Sequence, residues 1–285
     1  MRLGSLCISI DLELAWGVWD KLSDGTLRNC ETAERPIVER LVRLFEDYEI
    51  SATWAIVGRL LERDQTRSGE AWYAPDLVER IRRARVPQDI GSHSYAHPYF
   101  GESSVDRLRD DLLAARRIHD HYGLPFTSFV FPRNQVAHLD LLRGAGVRVF
   151  RSVDHGWHIA VRDRLGTSAG RLANLADKVL PIPPAVVHPI DHDGLIELPS
   201  SMLLLSRSGL RRAVLPATLI AKARLGLERA RRQRGVFHLW FHPSNFYHDT
   251  NGQLDALTQI LRSACDQRGR GQLAIQPMST FAAVA

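Results

Sequence analysis

The sequence predicts an α/β fold, with a parallel sheet joined by crossover helices. Three observations predict it. Short apolar runs alternate repeatedly with longer amphipathic stretches, the pattern of parallel strands and crossover helices. Polar residues recur just past the ends of the apolar runs, at Asp11, His93, Arg133, Asp154 and His242, which is where parallel α/β folds gather active-site groups. The chain has 285 residues, 45% hydrophobic and 24% charged, an ordinary globular balance for a barrel-sized unit. No repeat of fixed period and no low-complexity stretch divides it, so residues 1–285 read as a single domain.

The elements follow in order. Residues 6–10 form a short apolar run that ends on an acid and read as a buried strand. Over 34–48, Ile37, Val38, Leu41, Val42, Leu44 and Phe45 recur at helical spacing, with Pro36 in the first turn, where a missing N–H costs least. Residues 52–57 are strand-like and Gly58 stops them. A helix is predicted over 77–85, a short strand over 88–92, and a long amphipathic helix over 105–122. Residues 127–131 read as a strand ended by Pro132, 139–145 as a helix and 147–151 as a strand. The stretch 154–193, rich in Pro, His and Gly, reads as a long excursion with one helix near 171–180. Beyond it the pattern gives a strand at 196–198, helix over most of 210–234, a strand at 235–241, a helix at 253–266 and a last strand at 272–275.

Charge and cysteines narrow the function classes. The net charge is +5, and much of it is local. Between residues 207 and 234, Arg207, Arg211, Arg212, Lys222, Arg224, Arg229, Arg231, Arg232 and Arg234 face only Glu228. Such a stripe fits a solvated helix face, a phosphate-bearing ligand or an anionic membrane surface. The leucines around it (Leu203, Leu204, Leu205, Leu210, Leu215, Leu219) and Ile220 fit either core or membrane contact. No interleaved aromatics or nucleic-acid motif accompany the charge, so a nucleic-acid partner is not expected. Cys7, Cys30 and Cys265 are sparse and scattered, as in reduced cytoplasmic thiols. The first residues show no secretory signal, and no apolar run reaches the ~20 residues of a membrane span. The expected location is cytoplasmic, with the inner membrane surface open through residues 207–234.

Three places can carry chemistry. In Gly91-Ser-His93-Ser-Tyr-Ala-His97, two histidines four apart follow a strand and can aim at one point, as zinc ligands do; they also fit two surface or capping histidines. In Ser9-Ile-Asp11-Leu-Glu13, two acids lie two apart at a strand end and face one way. One can bind metal while the other takes a proton, or both can be solvated. In Phe237-His238-Leu-Trp-Phe-His242-Pro243, His242 ends an apolar strand and can reach the rim as a general acid, while His238, mid-strand, reads as structural.

These motifs, in this order, resemble those of the polysaccharide deacetylases (carbohydrate esterase family four). Ser9-Ile-Asp11-Leu-Glu13 resembles the first motif, Ala52-Thr-Trp-Ala-Ile-Val-Gly58 the second strand, Ile90 to Pro98 the metal motif, and Trp240-Phe-His242-Pro243 the last motif. The resemblance implies a distorted (β/α) barrel of about seven strands and a metal-dependent hydrolase that removes an N-acyl, usually N-acetyl, group from a sugar. It implies Asp11 as base, His242 as acid, and Glu13, His93 and His97 as ligands of a divalent metal, with zinc as the default. The roles of Asp11 and Glu13 can also be exchanged. Pro132-Arg133-Asn134 reverses the family's arginine–proline order; by resemblance Arg133 orients the catalytic acid. Asn134, Asp154 and Trp157 are expected to touch substrate, the last two from a loose match to the fourth motif. Expected partners are an N-acylated sugar, a sugar nucleotide or a lipid-linked sugar. A deformylase, a cyclic amide hydrolase and an inactive carbohydrate-binding homologue are the alternatives on the same scaffold.

Overall fold

The computed structural model describes residues 3–62, 67, 69–153 and 157–283. The chain runs β1 (Gly4–Leu12), α1 (Asp24–Thr32), α2 (Glu34–Asp47), β2 (Thr53–Ile56), α3 (Pro75–Arg82), β3 (Asp89–Ser92), α4 (Val105–His121), β4 (Ser128–Val130), α5 (Leu139–Gly144) and β5 (Val149–Ser152). There follow α6 (Trp157–Leu165), α7 (Thr167–Val179), β6 (Ile190–His192), β7 (Leu195–Pro199), β8 (Met202–Leu203), α8 (Pro216–Gln233), β9 (Val236–Phe241), α9 (Thr250–Gly269) and β10 (Leu273–Ile275). Short 3-10 turns fill several of the gaps.

The predicted barrel is present, and a single segment closes it. Parallel strands run in the order β7-β5-β4-β3-β2-β1-β9-β8. Pro199 is paired with Ser152 of β5, and Ser200 N–H donates to Ser152 O. One residue later Ser201 N–H donates to His238 O, and Met202 is paired with Leu239 of β9. The β7–β8 segment thus crosses from one end of the strand run to the other. With β1, β2, β3, β4, β5 and β9 it makes a distorted ring of seven.

Alternation along β1 sorts its side chains between two environments. Leu6, Ile8, Ile10 and Leu12 belong to the large outer core shared with α2, α8 and α9. Cys7 belongs instead to a small inner cluster with Ala55, Val130, Val149 and Leu198, plugged by Met278 and Phe281 of the C-terminal turn. Ser9 and Asp11 share the parity of Cys7 and face inward above that plug. A third cluster, rich in phenylalanine (Phe100, Phe129, Phe131, Phe150), packs α4 and α5 onto β4 and β5.

The sequence reading differs from the structure in several places, and it contains neither α1 nor β8. The excursion holds two helices, α6 and α7, rather than one. It also holds the antiparallel hairpin β6–β7, turned at Asp193-Gly194 with both residues at positive φ. Asp-Gly is the residue pair such a two-residue turn favours. Helix does fill most of 210–234, as α8; Pro216 starts it with Leu215 extended before it, because a proline disfavours helical backbone in its predecessor. The charge of this segment is largely engaged within the chain. Lys222 is buried against Asp177 at 2.5 Å, Arg231 and Arg232 grip Glu228, and Arg229 donates to the carbonyls of Pro183 and Pro184. Leu204, Leu205, Leu219 and Ile220 are core, while Leu215 is exposed. No helix among the described residues is long and apolar enough to cross a membrane.

Glu34 is a carboxyl buried at the start of α2, hydrogen-bonded by the Tyr247 hydroxyl. Burial pushes its pKa up to about 8, against the lowering effect of that hydrogen bond. A carboxyl whose folded pKa lies above its unfolded value of about 4.3 takes up a proton on folding, so it subtracts stability as pH rises from that value to the folded pKa. Glu34→Gln keeps the acceptor and removes the charge. Thermal unfolding should show the variant more stable than wild type, with a larger gap near pH 9 than near pH 5. An equal gap at both would mean that Glu34 ionises as an exposed carboxyl does.

Candidate metal and acid–base site

The inward parity of β1 continues to its end and brings two acids to the barrel mouth. Asp11 is buried, and Glu13 follows just past the strand. His93 follows β3 directly, and His242 follows β9. Together with Gly17, Val18, His97, Arg133, Asn134 and Ser244 they line a cavity of about 320 Å3.

Glu13, His93 and His97 converge. One carboxylate oxygen of Glu13 lies 3.3 Å from His93 Nε2 and 3.2 Å from His97 Nε2, and one ligand atom from each residue falls within 4.8 Å of the others. Nδ1 of His93 lies 2.8 Å from Val130 O, which can only accept, so this nitrogen carries the proton and Nε2 is left bare toward the cavity. Neither ring nitrogen of His97 has a hydrogen-bond partner, although both are buried. Buried nitrogens of this kind beside a carboxylate fit a divalent cation. Burial acts to raise the pKa of Glu13, but the charge of His242 and the neighbouring rings of His93 and His97 outweigh it and hold it well below the ordinary carboxylate range.

The loop that carries the histidines is strained and held from behind. Ser94 and His97 have positive φ, a conformation that costs about 1–3 kcal/mol for residues other than glycine. Asp111 of α4 accepts from Tyr95 N–H at 2.9 Å and from Ala96 N–H at 2.8 Å, which fixes the turn between the two histidines. Glu13 is backed by Gly17: a Cβ there would lie 2.0 Å from its carboxyl carbon.

Asp11 has a different partner. Arg151, the third residue of β5 and fully buried, donates to it through both terminal nitrogens, at 2.7 and 2.6 Å. Burial pushes Asp11 up, yet Arg151, then His242 and His93, bring its pKa below the ordinary value. His242 Nε2 stands 3.5 Å from Asp11 and 3.6 Å from Glu13, between the two acids. Its backbone N–H donates to the Asn245 side chain at 2.7 Å, which pins the turn beginning at Pro243.

The arginine expected to orient Asp11 is therefore a different one. Arg133 donates to Asp20 at 2.5 Å and stacks over Tyr99, at the cavity mouth. Its backbone is left-handed, a consequence of the turn that follows Pro132, and this turns the side chain outward. Arg151 carried a readable signal: an arginine directly after Val149-Phe150 in a buried strand must find an acid. Asn134 lines the cavity, but its side-chain oxygen is committed to Arg151 at 3.1 Å. Asp154 and the side chain of Trp157 lie outside the described residues.

Comparison with known structures first defines the fold class. A Mycobacterium smegmatis protein, assigned provisionally to the polysaccharide deacetylases, superposes with a TM-score of 0.69 at 17% identity, over 99% of this chain and 89% of its own. Puue allantoinase gives 0.61 at 13% identity, over 98% and 88%. The 4-alpha-glucanotransferase of Thermococcus litoralis gives 0.59 at 14%, over 99% of this chain and 40% of its own. These are different enzymes, so the shared barrel does not choose the chemistry. No curated protein matches the sequence. Residues 24–150, a little under half of the chain, match the family model described as polysaccharide deacetylase. The match includes His93 and His97; Asp11, Glu13, Arg151 and His242 lie beyond its ends.

If Glu13, His93 and His97 are one metal centre, His93→Ala/His97→Ala protein should lose its metal equivalent on dialysis against chelator. Gly17→Ala should lower occupancy by displacing Glu13, while leaving the unfolding temperature near that of wild type. Metal analysis of the dialysed proteins decides both; full occupancy in the double variant would remove the assignment.

Proposed function

We propose that residues 1–285 act as one catalytic domain, a metal-dependent deacetylase that hydrolyses an N-acyl group, in the first instance N-acetyl, from a sugar. One observation carries this reading: His242 stands between an acid held by an arginine (Asp11) and an acid that faces two histidines (Glu13), in one cavity. The family match supports it.

Glu13, His93 and His97 would hold the ion, with zinc the default for two imidazoles and a carboxylate. When bound, a divalent ion supplies Lewis-acid polarisation of the acyl oxygen and acidifies water. The chain's own groups supply the rest. Arg151 keeps Asp11 ionised and fixes its direction, so Asp11 is the base that takes a proton as water oxygen bonds to the acyl carbon. His242, between the two acids, gives a proton to the nitrogen as the carbon–nitrogen bond breaks, which releases an amine and a carboxylic acid. The orienting role expected of Arg133 falls to Arg151. Arg133 and Tyr99, tied to Asp20 at the mouth, are placed to meet the sugar instead. A sugar nucleotide or lipid-linked sugar would bring phosphate, and Arg211 and Arg212 are the exposed cations of the basic segment that best suit it.

Asp11→Asn should retain metal and lose turnover by about 10²–10⁴-fold. His242→Ala should do likewise, with a smaller loss on activated leaving groups that need no proton. Acetate release from N-acetylated mono- and oligosaccharides is the assay, with N-formyl substrates and cyclic amides run beside them. Turnover confined to a cyclic amide or a formamide would replace the deacetylase reading by one of its alternatives. An Asp11→Asn protein as active as wild type would remove Asp11 as the base.

A further inference from the structure

Beneath Asp11 the barrel holds polar groups that the proposed chemistry leaves unused. Arg151 has four terminal N–H bonds, and each has an acceptor. Nη1 donates to Asp11 at 2.7 Å and to Ser9 Oγ at 3.0 Å; Nη2 donates to Asp11 at 2.6 Å and to Asn134 at 3.1 Å. The indole of Trp240 covers the guanidinium, 4.3 Å from its centre.

A guanidinium can only donate, so Ser9 oxygen accepts from it and the Ser9 proton must point elsewhere. His238 Nε2 lies 2.9 Å from that hydroxyl. On the far side of the ring, Nδ1 is 3.2 Å from Pro199 O, which can only accept. A neutral ring satisfies both contacts in one way: the proton sits on Nδ1, and bare Nε2 accepts from Ser9. The two ends of the chain thus determine every hydrogen between them. His238 and Ser9 have no solvent exposure. Burial, then the charge of Arg151, lowers the His238 pKa to about 3, which keeps the ring neutral.

We propose that His238 and Ser9 are positioning residues, which form with Pro199 a one-way hydrogen-bonded chain that locks Arg151 so that its fork faces Asp11. A ring protonated at Nε2 would donate to the Ser9 oxygen, deprive the Ser9 proton of its acceptor and set a bare Nδ1 against Pro199 O, all in a dry interior. The effect on turnover rests on the deacetylase reading, whereas the direction of the hydrogen bonds does not.

The two are separable by experiment. In protein labelled with 15N-histidine, the His238 signals, identified by their loss in His238→Gln, should show the neutral Nδ1–H tautomer from about pH 8 to about pH 5. The Nε2–H tautomer, or a cation at about pH 6, would overturn the proposal. In metal-loaded protein assayed on N-acetylated chitooligosaccharides, Ser9→Ala and His238→Phe should lower kcat by about tenfold or more with KM and metal content unchanged, and Ser9→Thr should restore it. Wild-type kcat in folded Ser9→Ala, or no restoration by a folded Ser9→Thr, would also overturn it. A wild-type protein inert on these sugars would sink the substrate reading, and the tautomer would still decide the relay.

Discussion

A guanidinium without solvent exposure stands in the middle of this barrel, and much of the site is arranged around keeping it there. Arg151 and Asp11 meet through two parallel hydrogen bonds at the buried floor of the cavity. Removing one member of such a pair leaves an uncompensated buried charge and typically costs about 3–5 kcal/mol. The surroundings answer that constraint: Ser9 and Asn134 accept the remaining terminal N–H groups, and Trp240 covers the face. With Asp11 so committed, Glu13 is the acid left to face the histidines.

Strand parity explains how one short segment supplies both acids. Cys7, Ser9 and Asp11 alternate with Leu6, Ile8, Ile10 and Leu12, and the parallel register sets Cys7 beside His238 and Ser9 beside Trp240. The inner wall therefore grades from an apolar plug through a neutral hydrogen-bonded layer to ionised groups at the mouth.

Much of this was legible in the sequence, for a local reason. Asp11, His93 and His242 each fall at or just after the end of an apolar run, so reading strand ends was enough to find them. Their convergence is set by the ring, and the motif resemblance supplied that. The features missed share the opposite character. Arg151 lies inside its strand, and its role appears only when β1 is brought beside it in space. The outward turn of Arg133 depends on two successive left-handed residues, Arg133 and Asn134, neither of them glycine. The closing segment reads as one short strand, 196–198, because its other half is only two residues long and pairs with a different neighbour. The Asp193-Gly194 turn was readable, but no strongly alternating strand flanked it on the β6 side.

That closing segment has a consequence for how the chain is made. By joining β5 to β9 it leaves no open edge in the ring on which a second molecule could template. During synthesis the protection is missing. β1 is made well before its partner in β9; Ser9 and His238 are 229 residues apart. At about 5–20 residues per second, an apolar strand edge waits for tens of seconds. Nascent β1 is therefore a segment in need of shelter until β9 is made, and destabilising β9 should be felt first as aggregation of new chains rather than as loss of folded ones.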